Sequence, residues 1–189
     1  MKTLLAISAI LALAGAANAA PAAYQVKFET SAGDFVIDVT RDWAPNGADR
    51  FYDLVTAKFF DDCRFFRVMK GFMVQWGING TPSVNEHWAS IKDDDVRKSN
   101  SKGRISFAAA GKNSRTTQVF INYGDNSRLD RSGFSPFGEV STGMDVVEKI
   151  FAQYGEEPDQ LKIRTQGNAF LQGRYPRLDY IKKATIVTP

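Results

Sequence analysis

The sequence predicts an all-β protein, an antiparallel barrel or sandwich whose open ends are covered by two α-helices. Three observations carry this. Short apolar, aromatic-rich runs recur along the chain, each bounded by Gly, Asn, Asp or Pro, as strands between tight turns are. Helical spacing of apolar residues occurs only twice, near the two ends, which excludes a sheet built from alternating strands and helices. The 189 residues are 43% hydrophobic and 24% charged, with a single Cys. That composition gives one globular domain with a core that needs no disulfide staples.

The first nineteen residues are expected to precede the fold as a signal peptide. Lys2 supplies a positive start, Leu4 to Ala14 an apolar stretch too short to span a membrane comfortably, and Ala17-Asn18-Ala19 a small-residue cleavage site. Cutting after Ala19 leaves residues 20–189 as the domain. Tyr24, Val26 and Phe28 then alternate with polar residues, as do Phe35, Ile37 and Val39 after the turn Ser31-Ala32-Gly33-Asp34, giving a hairpin. Behind Pro45 the period changes. Ala48, Phe51, Tyr52 and Val55 form the apolar stripe of a first helix. Strands follow at Phe65–Val68, Phe72–Trp76, Ile105–Ala109, Val119–Asn122 and Phe137–Val140. Val147, Ile150, Phe151 and Tyr154 mark the second helix, Gln160–Asp179 reads as an elaborated loop, and Tyr180–Val187 closes the chain as a strand.

Several chemistries lack their residues. The formal charge of +3 falls to +2 once Lys2 leaves with the signal peptide, and no basic run or helix is present. Nucleic acid and, after cleavage, a membrane surface are therefore poor partners. His87 is the only histidine, has no serine elbow to serve, and reads as a surface or packing residue. One His and one distant Cys do not make a zinc site. Asp93-Asp94-Asp95 reads as a solvated turn, because consecutive side chains diverge from a common cation. Gly111-Lys112-Asn113-Ser114 lacks the first glycine of a phosphate loop. Hydrolytic, metal and nucleotide sites are therefore not expected. Cys63, alone in a chain with an export signal, fits a bacterial periplasm first and secretion second.

Phe65-Phe66-Arg67-Val68-Met69-Lys70-Gly71-Phe72-Met73-Val74-Gln75-Trp76-Gly77 sets one arginine among large apolar groups. Pattern alone favours a surface residue whose stem covers an apolar edge. The segment nevertheless resembles the F-H-R-x-x-x-G-F-M-x-Q-G-G signature of the cyclophilin family of peptidyl-prolyl cis-trans isomerases. Gly103 to Gly111 resembles that family's G-x-[IL]-S-M-A-N-A-G, Thr117-Gln118-Val119-Phe120-Ile121 its S-Q-F-F-I, and Leu129-Asp130 with Phe137-Gly138-Glu139-Val140 its L-D-G…F-G-x-V. The blocks fall in the family's order across essentially the whole domain. The resemblance implies an eight-stranded antiparallel β-barrel capped by two helices.

It also implies an activity that needs no nucleophile, no metal and no organic cofactor. Rotation about an X–Pro bond faces a barrier of about 18–20 kcal/mol because resonance stiffens the C–N bond. A fixed donor aimed at the proline nitrogen stabilises the twisted transition state more than either planar isomer. Arg67 matches the family's catalytic arginine, and Gln75 the glutamine that orients it. Phe72, Met73 and Phe120 match the apolar wall around the proline ring, which Leu129 and Phe134 extend. Ala108, Ala109 and Gln118 match positions beside an extended peptide, the two alanines contributing mainly main-chain groups. The implied partners are proline-containing unfolded or extended polypeptides. Arg128 stands where many relatives carry a tryptophan associated with tight cyclosporin binding, so weak binding of that inhibitor is expected. Phe66, Lys70, Trp76 and Ala109 are further departures from the family pattern. A peptide-binding module or holdase using the same groove without turnover is the alternative.

Overall fold

A computed structural model describes residues 19–187 of the chain. The expected signal peptide lies, apart from Ala19, outside the described residues. Eight antiparallel strands make one sheet: β1 (Ala23–Thr30), β2 (Asp34–Thr40), β3 (Arg67–Met69), β4 (Met73–Trp76), β5 (Arg104–Phe107), β6 (Val119–Asn122), β7 (Pro136–Thr142) and β8 (Ile181–Val187). Their order is β3-β4-β6-β5-β7-β2-β1-β8. The sheet curls into a half-barrel rather than a continuous closed cylinder. Its edge strands β3 and β8 approach at the bridge Arg64–Tyr180, flanked by Phe65 N–H to Asp179 O at 3.0 Å and Ile181 N–H to Cys63 O at 2.9 Å.

The period-2 pattern does what it predicts. Tyr24, Val26 and Phe28 pair with Val39, Ile37 and Phe35, and all six are buried. Helix α1 (Pro45–Thr56) starts on Pro45 and turns Ala48, Phe51, Leu54 and Val55 into the core. There Phe51 meets Phe60 at 5.5 Å and Phe137 at 4.9 Å. Cys63 is wholly buried, and desolvation pushes its thiol pKa well up, so it packs as a small apolar group.

Three expectations need correction. Asp94 is not in a solvated turn. Its carboxylate accepts the Asn46 and Gly47 N–H groups at 2.9 Å, the orphan donors at the start of α1, and pairs with buried Arg115 at 3.0 Å. The second expected helix is shorter than its spacing suggests: α3, the third helix in chain order, covers only Met144–Lys149. Ile150 turns extended, and the Phe151 N–H leaves the helical ladder for Asp179 Oδ2 at 2.8 Å. A four-residue turn, α2 (Pro82–Asn85), lies between β4 and β5. The largest miss is the supposed loop at 160–179, most of which is a helix, α4 (Gln160–Arg174).

Asp159 caps α4, accepting the Leu161 and Lys162 N–H groups at 2.9 and 3.1 Å. Ile163 and Leu171 bury against Phe66, Ile78 and Leu178 in a second apolar cluster. Phe66, where the family has a histidine, is thus covered by α4. Trp76, in place of a glycine, fills the main core against Phe28 at 5.7 Å and Phe65 at 5.5 Å.

Candidate active site

Pleating sorts the central strands into two faces. Val74, Trp76, Val119 and Ile121 point into the core, so Met73, Gln75 and Phe120 face outwards. Pairing then aligns Arg67 with Gln75, Gln75 with Phe120, and Phe120 with Ser106, a row across β3, β4, β6 and β5. The hairpin joining β3 and β4 turns at Gly71, whose φ of +75° suits a residue without Cβ. Phe72 sits at the end of that turn.

A polar chain runs along the row. Arg67 Nη1 donates to Gln75 Oε1 at 3.3 Å, and Gln75 Nε2 donates to Gln118 Oε1 at 2.8 Å. Arginine has only donors, so Gln75 must turn its oxygen to Arg67 and its nitrogen to Gln118. Gln75 is buried, with both ends of its amide satisfied. Glu156, which the sequence reading did not single out, takes the other edge of the guanidinium: its Oε2 accepts from Arg67 Nε at 3.1 Å and Nη2 at 2.8 Å.

The apolar side is built by loops held rigidly from behind. Phe120 and Phe134 meet edge to face at 5.7 Å. Leu129 lies in a short 3-10 segment, Ser127–Ser132, and Phe134 follows it. Buried Asn100 gathers this region, donating through Nδ2 to Asp130 Oδ1 at 2.7 Å and Phe134 O at 2.8 Å, and accepting from Ser106 Oγ at 2.8 Å. Asn126 Nδ2 donates to Phe72 O at 2.8 Å, tying the Gly71 turn to the same network. At Asp130 desolvation is the largest influence and raises the pKa. Hydrogen bonds from Ser99 and Asn100 outweigh it together and hold the carboxyl below its usual value.

All ten residues singled out in the sequence (Arg67, Phe72, Met73, Gln75, Ala108, Ala109, Gln118, Phe120, Leu129 and Phe134) line one cleft of about 350 Å³. Ala108 differs from its expected contribution in one respect: its N–H is already committed to Gln118 O at 2.9 Å, leaving only its carbonyl for a peptide. Ala110, Ser114 and Thr116 extend the same wall. Gln160 and Arg164 of α4 overhang it and were missed because α4 was read as loop. Only its start was signalled, by Pro158-Asp159 as a helix N-terminus. Both charged lining residues are arginines. Among the described residues no three His, Cys, Asp or Glu side chains form a group able to hold a metal ion.

Fold and site together define a β half-barrel with a cation-edged apolar cleft on its outer face, open to an extended chain. Residues 25–167 match the family model described as cyclophilin type peptidyl-prolyl cis-trans isomerase/CLD. The chain is 36% identical to peptidyl-prolyl cis-trans isomerase A of Dickeya dadantii over 160 residues, covering 79% of this chain and 83% of that protein. It is 34% identical over 132 residues to a peptidyl-prolyl cis-trans isomerase of Acinetobacter baylyi, covering 66% and 70%. Among solved structures, a cyclophilin type peptidyl-prolyl cis-trans isomerase of Cryptosporidium parvum superposes with a TM-score of 0.66 at 18% identity, over 88% of this chain and 99% of that one. The chain belongs to the family of cyclophilin-type peptidyl-prolyl cis-trans isomerases, and the enzyme class read from its motifs stands.

Proposed function

We propose that this chain accelerates cis-trans rotation of X–Pro bonds in exported polypeptides, with Arg67 stabilising the twisted imide. In this reading the proline ring packs in the apolar slot of Phe72, Met73, Phe120, Leu129 and Phe134. The flanking chain lies along Ala108, Ala109 and Gln118. As the C–N bond twists, resonance is lost and the proline nitrogen regains a lone pair. A guanidinium N–H can donate to that lone pair and has no such partner in either planar isomer. An acceleration of about 10⁵ asks for only about 7 kcal/mol of differential stabilisation, within reach of a charged donor in a partly desolvated cleft.

The observation that carries this is the state of Arg67. It stands at the edge of the slot, 6.0 Å over the Phe72 ring, with three of its five N–H donors held by protein acceptors and two uncommitted. A second Cryptosporidium parvum structure, 19% identical with a TM-score of 0.64 over 87% of this chain and 99% of that one, was solved in the presence of the dipeptide Ala-Pro, which agrees with proline-containing partners. The test is the cis-to-trans rate of an Ala-Xaa-Pro-Phe peptide with the wild type and Arg67→Ala. Loss of most of the rate with binding retained supports the reading. Binding without turnover by either protein would instead make this a holdase.

Export belongs to the same proposal. Ala20, the first residue after the expected cut, is buried, and its N–H donates to Asp49 Oδ1 at 3.0 Å. Cleavage after Ala19 would turn that amide into an ammonium facing a carboxylate. The periplasm remains the proposed compartment. Buried Asn79 is a poor glycan acceptor despite the Asn79-Gly80-Thr81 sequon, because its Nδ2 is committed to Phe59 O at 2.6 Å.

A further inference from the structure

We infer that Glu156 is a positioning residue for the isomerase reaction, holding the Arg67 guanidinium in its working orientation; this rests on the functional reading above. Glu156 lies in the segment between α3 and α4. Two independent features place it. The first is the contact itself, with both Nε and Nη2 of Arg67 donating to one carboxylate oxygen. The second is the docking of its loop. The Val68 N–H, on the residue next to Arg67, donates at 2.9 Å to the carbonyl of Gly155, the residue next to Glu156. The loop is thus registered on the edge strand β3 so that the two side chains face each other.

The loop is secured at further points. Gly155 takes a φ of +53°, its N–H reaches Ala152 O at 3.1 Å, and the Glu157 N–H reaches Tyr154 O at 2.9 Å. Tyr175 Oη, at the far end of α4, donates to Glu157 O at 3.2 Å, and its ring packs on Tyr154 at 5.1 Å. The loop and α4 together therefore present Glu156.

An ion pair this exposed adds little to fold stability, since the Glu156 side chain is 60% accessible. Its consequence is orientational. Arg67 has a long, freely rotating stem, and Gln75 alone would fix one corner of its guanidinium. With Glu156 along the Nε–Nη2 edge the group is held from two sides before substrate arrives, and two N–H groups remain for the imide. The freedom that Arg67 would otherwise lose at the transition state is lost in advance.

The test compares turnover, KM and melting temperature for the wild type, Glu156→Ala, Glu156→Gln, Arg67→Ala and the double variant Arg67→Ala/Glu156→Ala, using the Ala-Xaa-Pro-Phe peptide. We expect Glu156→Ala to lower kcat about tenfold with KM and melting temperature nearly unchanged, as for an interaction that acts through orientation. Glu156→Gln, which keeps a carbonyl acceptor, should recover most of the loss. The double variant should be no slower than Arg67→Ala alone. Wild-type or faster turnover by Glu156→Ala would overturn the inference, the faster case marking Glu156 as a competitor for the guanidinium. So would an equal fall in rate on the Arg67→Ala background, or a loss explained by a lower melting temperature. If Arg67→Ala itself keeps wild-type turnover, the functional reading has failed; if Arg67→Ala is inactive and Glu156→Ala is not, only the role of Glu156 has.

Discussion

Arg128 shows how one residue can alter the cleft without disturbing it. Its guanidinium lies 4.9 Å from the centre of the Phe72 ring, so it covers the aromatic edge where many relatives place an indole. A charged group there offers a bulky apolar macrocycle less apolar surface than tryptophan would. Cyclosporin is therefore expected to inhibit this enzyme only above the micromolar range in a coupled isomerase assay, and Arg128→Trp should tighten inhibition. Sub-micromolar inhibition of the wild type would contradict this. The residue scale is also where the sequence was most legible. Phe72, Gln75 and Phe120 were legible through the resemblance, whose motif blocks fall in the family's order, while pleat alternation by itself only sets Met73 and Gln75 opposite Val74. Glu156 was not legible, because its partner lies 89 positions away and exposed acids carry no local pattern.

Among the elements, α4 separates what local pattern can show from what only packing shows. Gly167 interrupts its helical geometry at φ +62°, ψ −150°, and the apolar residues on either side belong to differently directed turns. A single helical period does not run through it, so the segment reads as loop. The kink has a cause: the Asn168 N–H donates to Gly80 O at 2.9 Å, and a Cβ on Gly167 would lie 2.0 Å from that same oxygen. Gly167→Ala is therefore expected to cost about 2–3 kcal/mol in denaturant unfolding, from backbone strain and the displaced Gly80 loop. An unchanged midpoint would show that α4 does not need this approach. By contrast, strands β1 and β2 were legible almost to the residue, because one face of each is wholly buried and a one-residue slip would expose that face.

For the molecule as a whole, Asp49 of α1 ties Ala20, near the N-terminal end of the described residues, to Arg41 just after β2. Its carboxylate binds Arg41 through two bonds, 2.6 and 2.8 Å, as well as the Ala20 N–H. The Arg41 hydrogen bond chiefly, and the Ala20 bond less strongly, hold its pKa below the usual 3.8, although burial opposes them. A depressed folded pKa means that the unfolded chain takes up the proton first. The stability contributed by Asp49 is then fully present above about pH 3.8 and is lost as pH falls through the folded value. Protein recovered from the exported fraction should begin at Ala20 on N-terminal sequencing. Its melting temperature should exceed that of Asp49→Asn at neutral pH, with the gap closing on acidification. A start at Met1, or a gap that widens in acid, would contradict the account.

Whether Arg67 favours the twisted imide over both planar isomers is decided by exchange NMR on a bound Ala-Xaa-Pro-Phe peptide. The method gives affinity and on-enzyme interconversion rate in one experiment. Arg67→Ala is expected to slow interconversion by about a hundredfold or more while affinity changes only a few fold. Affinity and rate falling by the same factor, or interconversion continuing at the wild-type rate, would contradict it.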